Sequence, residues 1–294
     1  MRMRLALTMS LTLWLGLAGT PAQAAVAAPA PQTLHLPAWG DEKLDHFGVV
    51  TLHMAMPARG QKGVIALTVA SPGARPFILN LPHDPDDHEF PPHLSRVEMD
   101  GANATPEFLV SRFTGGAHCC THLTILDQVA GQWIAIDGGS WDGGDVVPED
   151  ADGDGELEIV HGDDRFLYVF SCYACAGSPA RYFKVVEGAL TDITASPLFR
   201  HRDEKQLPAF QRGCARHDNE ACASYVAIMT RLDRHDEGWQ FMLKNYDPNQ
   251  DWGLTDCAQR NTAGNCTAEI KYKSYPEALE ALIRRTNEWQ PGAP

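Results

Sequence analysis

Short apolar runs separated by turn residues fill the first two thirds of this 294-residue chain. Between positions 49 and 194 they are rich in Val, Ile, Leu and Phe, a composition and spacing typical of antiparallel β structure. The runs cover residues 49–56, 64–70, 77–81, 108–113, 123–129, 133–137, 146–147, 157–160, 166–170, 182–186 and 190–193. About 150 residues are enough for one hydrophobic core. The pattern therefore predicts a β-rich domain over residues 39–198, built as a small antiparallel sheet domain or as blade-like hairpins.

The apolar spacing changes after about residue 199 to that of amphipathic helices. Three helices are predicted: one that begins after the N-cap residue Asp218, a short one around Met242, and one that begins with the capping-box pair Ser274 and Glu277. Their apolar positions are Tyr225, Ile228, Met229 and Leu232, then Trp239, Met242 and Tyr246, then Tyr275, Ala278, Leu279 and Leu282. We therefore expect an α+β protein in which residues 199–294 form a small disulfide-bonded all-α domain.

The N-terminus has the pattern of a secretory signal peptide over residues 1–24. Arg2 and Arg4 precede an apolar run over 5–17, and Ala-Gln-Ala at 22–24 supplies a small-residue cleavage site. The run is too short to span a bilayer, and no later stretch is long and apolar enough to do so. We expect an Ala- and Pro-rich flexible leader over 25–38 and a mature protein that is periplasmic or secreted.

Composition and charge narrow the possible partners. With 44% hydrophobic and 21% charged residues, the chain falls in the range of folded proteins. The formal net charge of -14 becomes -16 once the signal peptide, which carries Arg2 and Arg4 and no acidic residue, is removed. Such a charge argues against nucleic acid and anionic membranes as partners. The expected partner is a protein or a small-molecule ligand.

Eight cysteines in an exported chain predict disulfide bonds. They form two groups of four, Cys119, Cys120, Cys172 and Cys175, then Cys214, Cys222, Cys257 and Cys266. In the second group we favour Cys214 with Cys222 and Cys257 with Cys266, because each pair closes a short loop rich in turn formers. The pairing within the first group stays open.

The first cysteine group also permits a different chemistry. Together with His118 it offers ligand types that zinc accepts, although an oxidising compartment turns neighbouring thiols into disulfides. Cys172 and Cys175 have the spacing of a redox motif, but a Gly-Ser-Pro segment and a strand stand where the activating helix would begin. Disulfides are the expected state. An exported metalloenzyme or thiol enzyme that uses His118, Cys119, Cys120, Cys172 and Cys175 is the alternative function.

The acidic segment 148–168 carries the most distinctive pattern in the chain. Asp150, Asp152 and Asp154 stand at alternate positions, and a tightly curled loop turns every second side chain toward its centre. Calcium takes six to eight oxygen ligands, whereas magnesium prefers to keep several waters. Carboxylates crowded in this way repel one another unless a cation compensates them. The pattern therefore predicts a calcium-binding loop rather than a bare acidic turn.

Two glycines support the same interpretation. Gly153 and Gly155 can take positive φ angles, which lets the chain turn sharply enough for the carbonyl of Glu156 to face the ion. The EF-hand loop fits less well, because its twelfth position requires a bidentate Glu and here is His161. Strand-like residues also follow the segment where an EF-hand continues as a long helix.

The segment resembles the calcium-binding β-hairpin loops of FG-GAP and VCBS repeats, which have the integrin-like pattern Asp-x-Asp-x-Asp-Gly-x-x-acid before a strand. The resemblance covers about residues 148–168. It implies side-chain ligation by Asp150, Asp152, Asp154 and Glu158, and backbone ligation by Glu156. It also implies a structural calcium ion in an exported binding or interaction protein, with no catalytic residue assigned.

Overall fold

The computed structural model describes residues 29–84, 90–115, 119–143, 146–172, 175, 177–262 and 265–286. The predicted signal peptide and His118 lie outside these ranges. Antiparallel sheets form the N-terminal part of the described chain and four helices lie in its C-terminal part. The predicted α+β class is confirmed.

The first sheet is a meander of four consecutive strands. Its members are β2 (Glu42–Phe47), β3 (Val50–Ala55), β4 (Gly63–Ala70) and β5 (Phe77–His83). Leu52 and Met54 of β3 and Leu67 and Val69 of β4 are fully buried, while the residues between them are partly exposed. The sequence predicts strands at both places, over residues 49–56 and 64–70.

The second sheet is five-stranded and shares a core with the first. Its order is β1 (Gln32–Leu34), β6 (His93–Val97), β7 (Glu107–Phe113), β8 (Cys119–Val129) and β9 (Gln132–Asp142). Phe108 and Leu126 lie in one hydrophobic cluster with Leu52 of the first sheet. Part of the predicted flexible leader is ordered here, because buried Leu34 of β1 pairs with Leu94 of β6.

The third sheet carries the acidic loop at its edge. It contains β10 (Ile159–Gly162), β11 (Ala180–Val186) and β12 (Ala189–Asp192). Residues 166–170, predicted as a strand, instead begin in a 3-10 turn, Asp164–Phe166, and Phe166 and Phe170 pack into the helical core. The strand prediction was wrong because this apolar run packs against helices, and its side chains do not alternate between buried and exposed positions. Residues 146–147 are also not a strand.

The helical part contains α1 (Arg200–Cys214), α2 (Asn219–Arg231), α3 (His235–Asn245) and α4 (Tyr275–Arg285). The last three confirm the predicted helices, and Asp218 caps α2 by accepting a hydrogen bond from the Ala221 N–H at 3.1 Å. The α4 cap differs from the predicted capping box. The Ser274 hydroxyl makes no capping bond, and Glu277 accepts from the Lys273 N–H at 2.7 Å.

The C-terminal part differs from the all-α domain that the sequence predicts, because it also contains a β-hairpin. Strands β13 (Thr255–Arg260) and β14 (Cys266–Lys271) pair antiparallel between α3 and α4. The disulfide between Cys257 and Cys266 joins the two strands, and that between Cys214 and Cys222 joins α1 to α2. Both predicted pairings are confirmed. In the described residues, no helix combines the length and hydropathy that a membrane span requires.

Candidate metal centre

The acidic loop is a hairpin loop over residues 149–158, closed by a pair of backbone hydrogen bonds. The Glu149 N–H donates to the Glu158 carbonyl at 3.0 Å, and the Glu158 N–H donates to the Glu149 carbonyl at 2.9 Å. The Leu157 N–H donates to the Glu98 carbonyl at 2.7 Å, which attaches the loop to the segment after β6. The loop therefore lies between the second and third sheets.

Aspartate side chains and two glycines curl this loop. Each aspartate accepts a hydrogen bond from a backbone N–H two or three residues ahead, as in Asx turns. The bonds run from Gly153 N to Asp150 Oδ1 (2.7 Å), from Asp154 N to Asp152 Oδ1 (3.1 Å) and from Glu156 N to Asp154 Oδ1 (2.9 Å). Gly153 and Gly155 have φ angles of 83° and 95°, in the positive range that the sequence predicts for them.

Three of the predicted ligands come together. Asp150, Asp152 and Glu158 each place one carboxylate oxygen so that all three atoms lie within 4.8 Å of one another. The Glu158 side chain is fully buried; its Oε2 accepts from the Ala151 N–H at 2.8 Å. Its Oε1 is buried without a hydrogen-bond partner in the described part of the chain, and the ammonium group of Lys184 lies 4.0 Å from it. A buried carboxylate oxygen in this state is costly, and a bound cation would relieve it.

The side chains of the other two predicted residues turn toward a lysine. The ammonium group of Lys184, on β11, lies 2.5 Å from Asp154 Oδ2 and 2.8 Å from Glu156 Oε2. Glu156 Oε1 accepts from the Gly101 N–H at 3.0 Å. The Asp154 carboxylate is therefore paired with Lys184 rather than grouped with the other three. Lys184 was not predicted from the sequence, where its signal is a single lysine within the apolar run 182–186.

The electrostatics of the cluster follow from burial and from Lys184. Burial, reinforced by Asp152 and Asp154, raises the pKa of Glu158 to about 7. Burial also raises the pKa of Asp152. Burial works in the same direction on Asp154, but the hydrogen bonds from Lys184 and the Glu156 N–H outweigh it, so that the Asp154 pKa is lowered. The Glu158 carboxyl group thus resists ionisation up to about neutral pH while no cation is bound.

The loop backbone is also fastened to the helical part. Ala151 is buried in a small cluster with Tyr182 of β11 and Phe199. The Arg202 side chain of α1 donates from Nε to the Ala151 carbonyl at 2.8 Å and from Nη1 to Glu149 Oε1 at 2.5 Å. The loop is therefore held from the helix side by its backbone and from the sheet side by its carboxylates.

Three of the four cysteines in the first group are oxidised in the structure. Cys172 is bonded to Cys175, Cys120 is also disulfide-bonded, and no cysteine is free among the described residues. A sulfur in a disulfide supplies no thiolate to zinc and no nucleophile. The predicted disulfide state is confirmed for Cys172 and Cys175, which removes their thiolates from the alternative metal or thiol site. His118 and the Cys119 side chain lie outside what the structure describes.

One part of the chain matches a known family. Residues 200–287 match the sll0997 C-terminal domain. This region contains helices α1 to α4 and the hairpin of β13 and β14. The acidic loop lies outside it.

Two curated proteins are similar over a longer stretch. The chain is 39% identical over 199 residues to a protein of Synechocystis sp. named probable thylakoid lumen protein sll0997, an alignment that covers 65% of this chain and 58% of that protein. It is 32% identical over 195 residues to the uncharacterized protein y4bJ of Sinorhizobium fredii, which covers 64% of this chain and 31% of that protein. The aligned region is thus less than two thirds of either relative. No solved structure matches the chain.

Proposed function

We propose that the protein is an exported calcium-binding protein that acts by binding a partner rather than by catalysis, and that the ion stabilises the hairpin loop 149–158. The observation that supports the proposal most strongly is the fully buried Glu158 carboxylate. Its Oε1 has no hydrogen-bond partner in the described chain, and it belongs to a group of three carboxylates whose oxygens lie within 4.8 Å.

The residues present suit calcium chemically. Asp150, Asp152 and Glu158 offer carboxylate oxygens, which bind calcium in mono- or bidentate fashion, and water completes the six to eight ligands that the ion requires. The FG-GAP-like resemblance adds the Asp154 side chain and the Glu156 carbonyl. For Asp154 to join, its ion pair with Lys184 must open. The ion would neutralise the carboxylates and hold the loop, with a dissociation constant of about 10⁻⁴–10⁻³ M, as in extracellular calcium modules.

Three observations support export. The N-terminal segment has the pattern of a signal peptide. The described cysteines are disulfide-bonded, which is typical of oxidising compartments. The name of the Synechocystis relative assigns that protein to the thylakoid lumen. We propose a periplasmic or secreted location for this chain.

Calorimetric titration of the mature protein with calcium tests the site. We expect saturable binding by the parent protein and at least a tenfold weaker affinity for Asp152→Asn, which removes one ligand charge. The control Asp236→Asn neutralises an exposed carboxylate in the first turn of α3 and should bind as the parent does. Equal calcium binding by Asp152→Asn and the parent would remove this loop as the site, and so would the absence of calcium binding by the parent.

A further inference from the structure

A second feature lies apart from the acidic loop: a cavity of about 610 Å³ between the third sheet and the helices. Its wall includes β11, β12, the turn that leads into α1, and the end of α2. Four arginines line it, Arg165, Arg181, Arg200 and Arg231. In a chain with a net charge of -14, this grouping of guanidinium groups around one cavity is unusual.

Two of these arginines are anchored deep in the wall. Arg165 forms a fork with the fully buried Asp163, with Nε to Oδ1 at 2.7 Å and Nη2 to Oδ2 at 2.5 Å, and it also donates to the Thr286 carbonyl at 2.9 Å. The Arg231 side chain is only 6% exposed and donates to the Ala180 carbonyl at 2.6 Å. Such contacts fix the guanidinium planes before any ligand arrives, which lowers the entropic cost of binding.

The other two arginines retain N–H groups for a ligand. Arg181 stacks on the Phe183 ring at 4.6 Å and donates one described hydrogen bond, to Asp192 at 2.5 Å. Its Nε is buried and has no partner among the residues that the structure describes, so that a ligand would contact the Nη groups. Arg200 donates to Asp233 at 2.8 Å and to the Leu232 carbonyl at 3.0 Å. Because a guanidinium carries five N–H donors, each of these two side chains keeps several that these bonds do not use.

The balance of charges around the cavity determines which features of a ligand it can recognise. Three carboxylates also line the cavity, Asp192, Asp203 and Asp233, and Asp163 lies against Arg165. These four carboxylates balance the four guanidinium charges, so the cavity has no excess positive charge to attract an anion. Directed N–H donors remain, and planar guanidinium groups match the paired oxygens of carboxylate and phosphate. Recognition should favour oxyanions over halides.

We propose that this cavity binds a small organic oxyanion, a ligand whose carboxylate or phosphate group is gripped by Arg181 and Arg200. The volume lies within the range of 300–1,000 Å³ that is usual for small-molecule sites and exceeds what one inorganic anion fills. The hydroxyl group of Ser196 on the wall offers a further contact to the body of the ligand. The cavity shares no residue with the acidic loop, so the proposal does not depend on calcium.

Titrations with sodium phosphate and with citrate test this on the mature protein, in calcium-free buffer that contains 150 mM NaCl as the halide background. We expect saturable binding of at least one probe in the millimolar range or tighter. Binding of phosphate alone would assign a phosphorylated ligand, and binding of citrate alone a carboxylate ligand. Arg200→Gln and Arg181→Gln should each weaken binding at least tenfold.

Arg234→Gln is the matched control, because it removes the same charge from a surface arginine that pairs with Glu237 outside the cavity. It should bind as the parent does. Arg200 is 43% exposed, so that its substitution keeps the fold even if Arg181→Gln does not. The inference is overturned if neither probe binds saturably, or if Arg234→Gln loses as much affinity as Arg200→Gln.

Discussion

Replacing Glu158 by Gln should remove most of the stabilisation by calcium and, without calcium, should raise stability at alkaline pH. The substitution exchanges a fully buried carboxylate for a neutral amide of nearly the same size. The amide oxygen can still accept the hydrogen bond from the Ala151 N–H. What changes is the charge at the atom that has no hydrogen-bond partner in the described structure.

The calcium arm has a magnitude set by mass action. A ligand stabilises the folded state by RT ln(1 + [L]/Kd), which for 10 mM calcium and a Kd of about 10⁻⁴–10⁻³ M is about 1.4–2.7 kcal/mol. At about 2–4 °C per kcal/mol for a chain of this size, the melting temperature of the parent should rise by roughly 3–11 °C. Glu158→Gln should lose most of this rise.

The calcium-free arm follows from the pKa of the same group. Burial raises the pKa of Glu158 from 4.5 to about 7, so the folded chain holds this proton more tightly than the unfolded chain does. The parent therefore loses stability as pH rises from about 4.5 through 7, by up to about 3 kcal/mol. Since Gln has no proton to lose, Glu158→Gln should be more stable than the parent at pH 8 and nearly equal to it at pH 4.

Thermal melting in metal-depleted buffer, with calcium or magnesium added back, measures both arms. Resin depletion is preferable to a polycarboxylate chelator, which is itself a candidate ligand of the arginine-lined cavity. Glu269→Gln, the same change at an exposed position of β14, is the control and should keep the full calcium response. The reasoning is refuted if Glu158→Gln keeps the calcium-induced rise of the parent, or if the parent shows no rise.

Three further predictions concern charge and oxidation. Lys184→Met removes the ammonium group that pairs with Asp154 and Glu156. Calorimetry should show a calcium affinity about tenfold higher (about 1.4 kcal/mol), and the calcium-free protein should melt at a lower temperature. Unchanged affinity would show that the lysine does not compete with the ion. Burial raises the pKa of Glu220 to about 8, so the free energy of unfolding of the parent should fall as the pH rises from 4.5 to 8. In Glu220→Gln this fall should be smaller by about 2–5 kcal/mol, as measured by urea unfolding at several pH values. Identical pH dependence in the two proteins would contradict this. A thiol assay on the denatured protein should find no free thiol before reduction and eight after it, and free thiols before reduction would reopen the thiol alternative.

The features that could be predicted from sequence are those that local residues determine. The spacing in β3 and β4, the N-cap Asp218 and the short-loop disulfide between Cys214 and Cys222 each depend on a few neighbouring positions. The curled backbone of the acidic loop does as well, because alternate aspartates and positive-φ glycines determine it without help from the rest of the chain.

Other features depend on distant parts of the chain and left weak local signals. Lys184 reaches the acidic loop only because β10 pairs with β11 in the register that places Ile159 opposite Phe183. Helix α1 was not predicted, since it contains Pro208 and buries few side chains. The arginine-lined cavity likewise combines residues from Arg165 to Arg231 that no sequence spacing relates.

The contacts that Arg202 and Lys184 make with the acidic loop should affect calcium binding differently. Arg202 holds the Ala151 carbonyl, and with it a loop backbone that Asx turns and two glycines have already curled. On the proposed function this backbone needs little rearrangement. The group that must move is the Lys184 ammonium, which is 19% exposed and pairs with both Asp154 and Glu156. The tenfold gain in affinity expected of Lys184→Met, about 1.4 kcal/mol, is the free energy that this pairing sets against calcium. Displacement of the ammonium group is therefore the main cost of calcium binding, and the buried Glu158 oxygen offsets it.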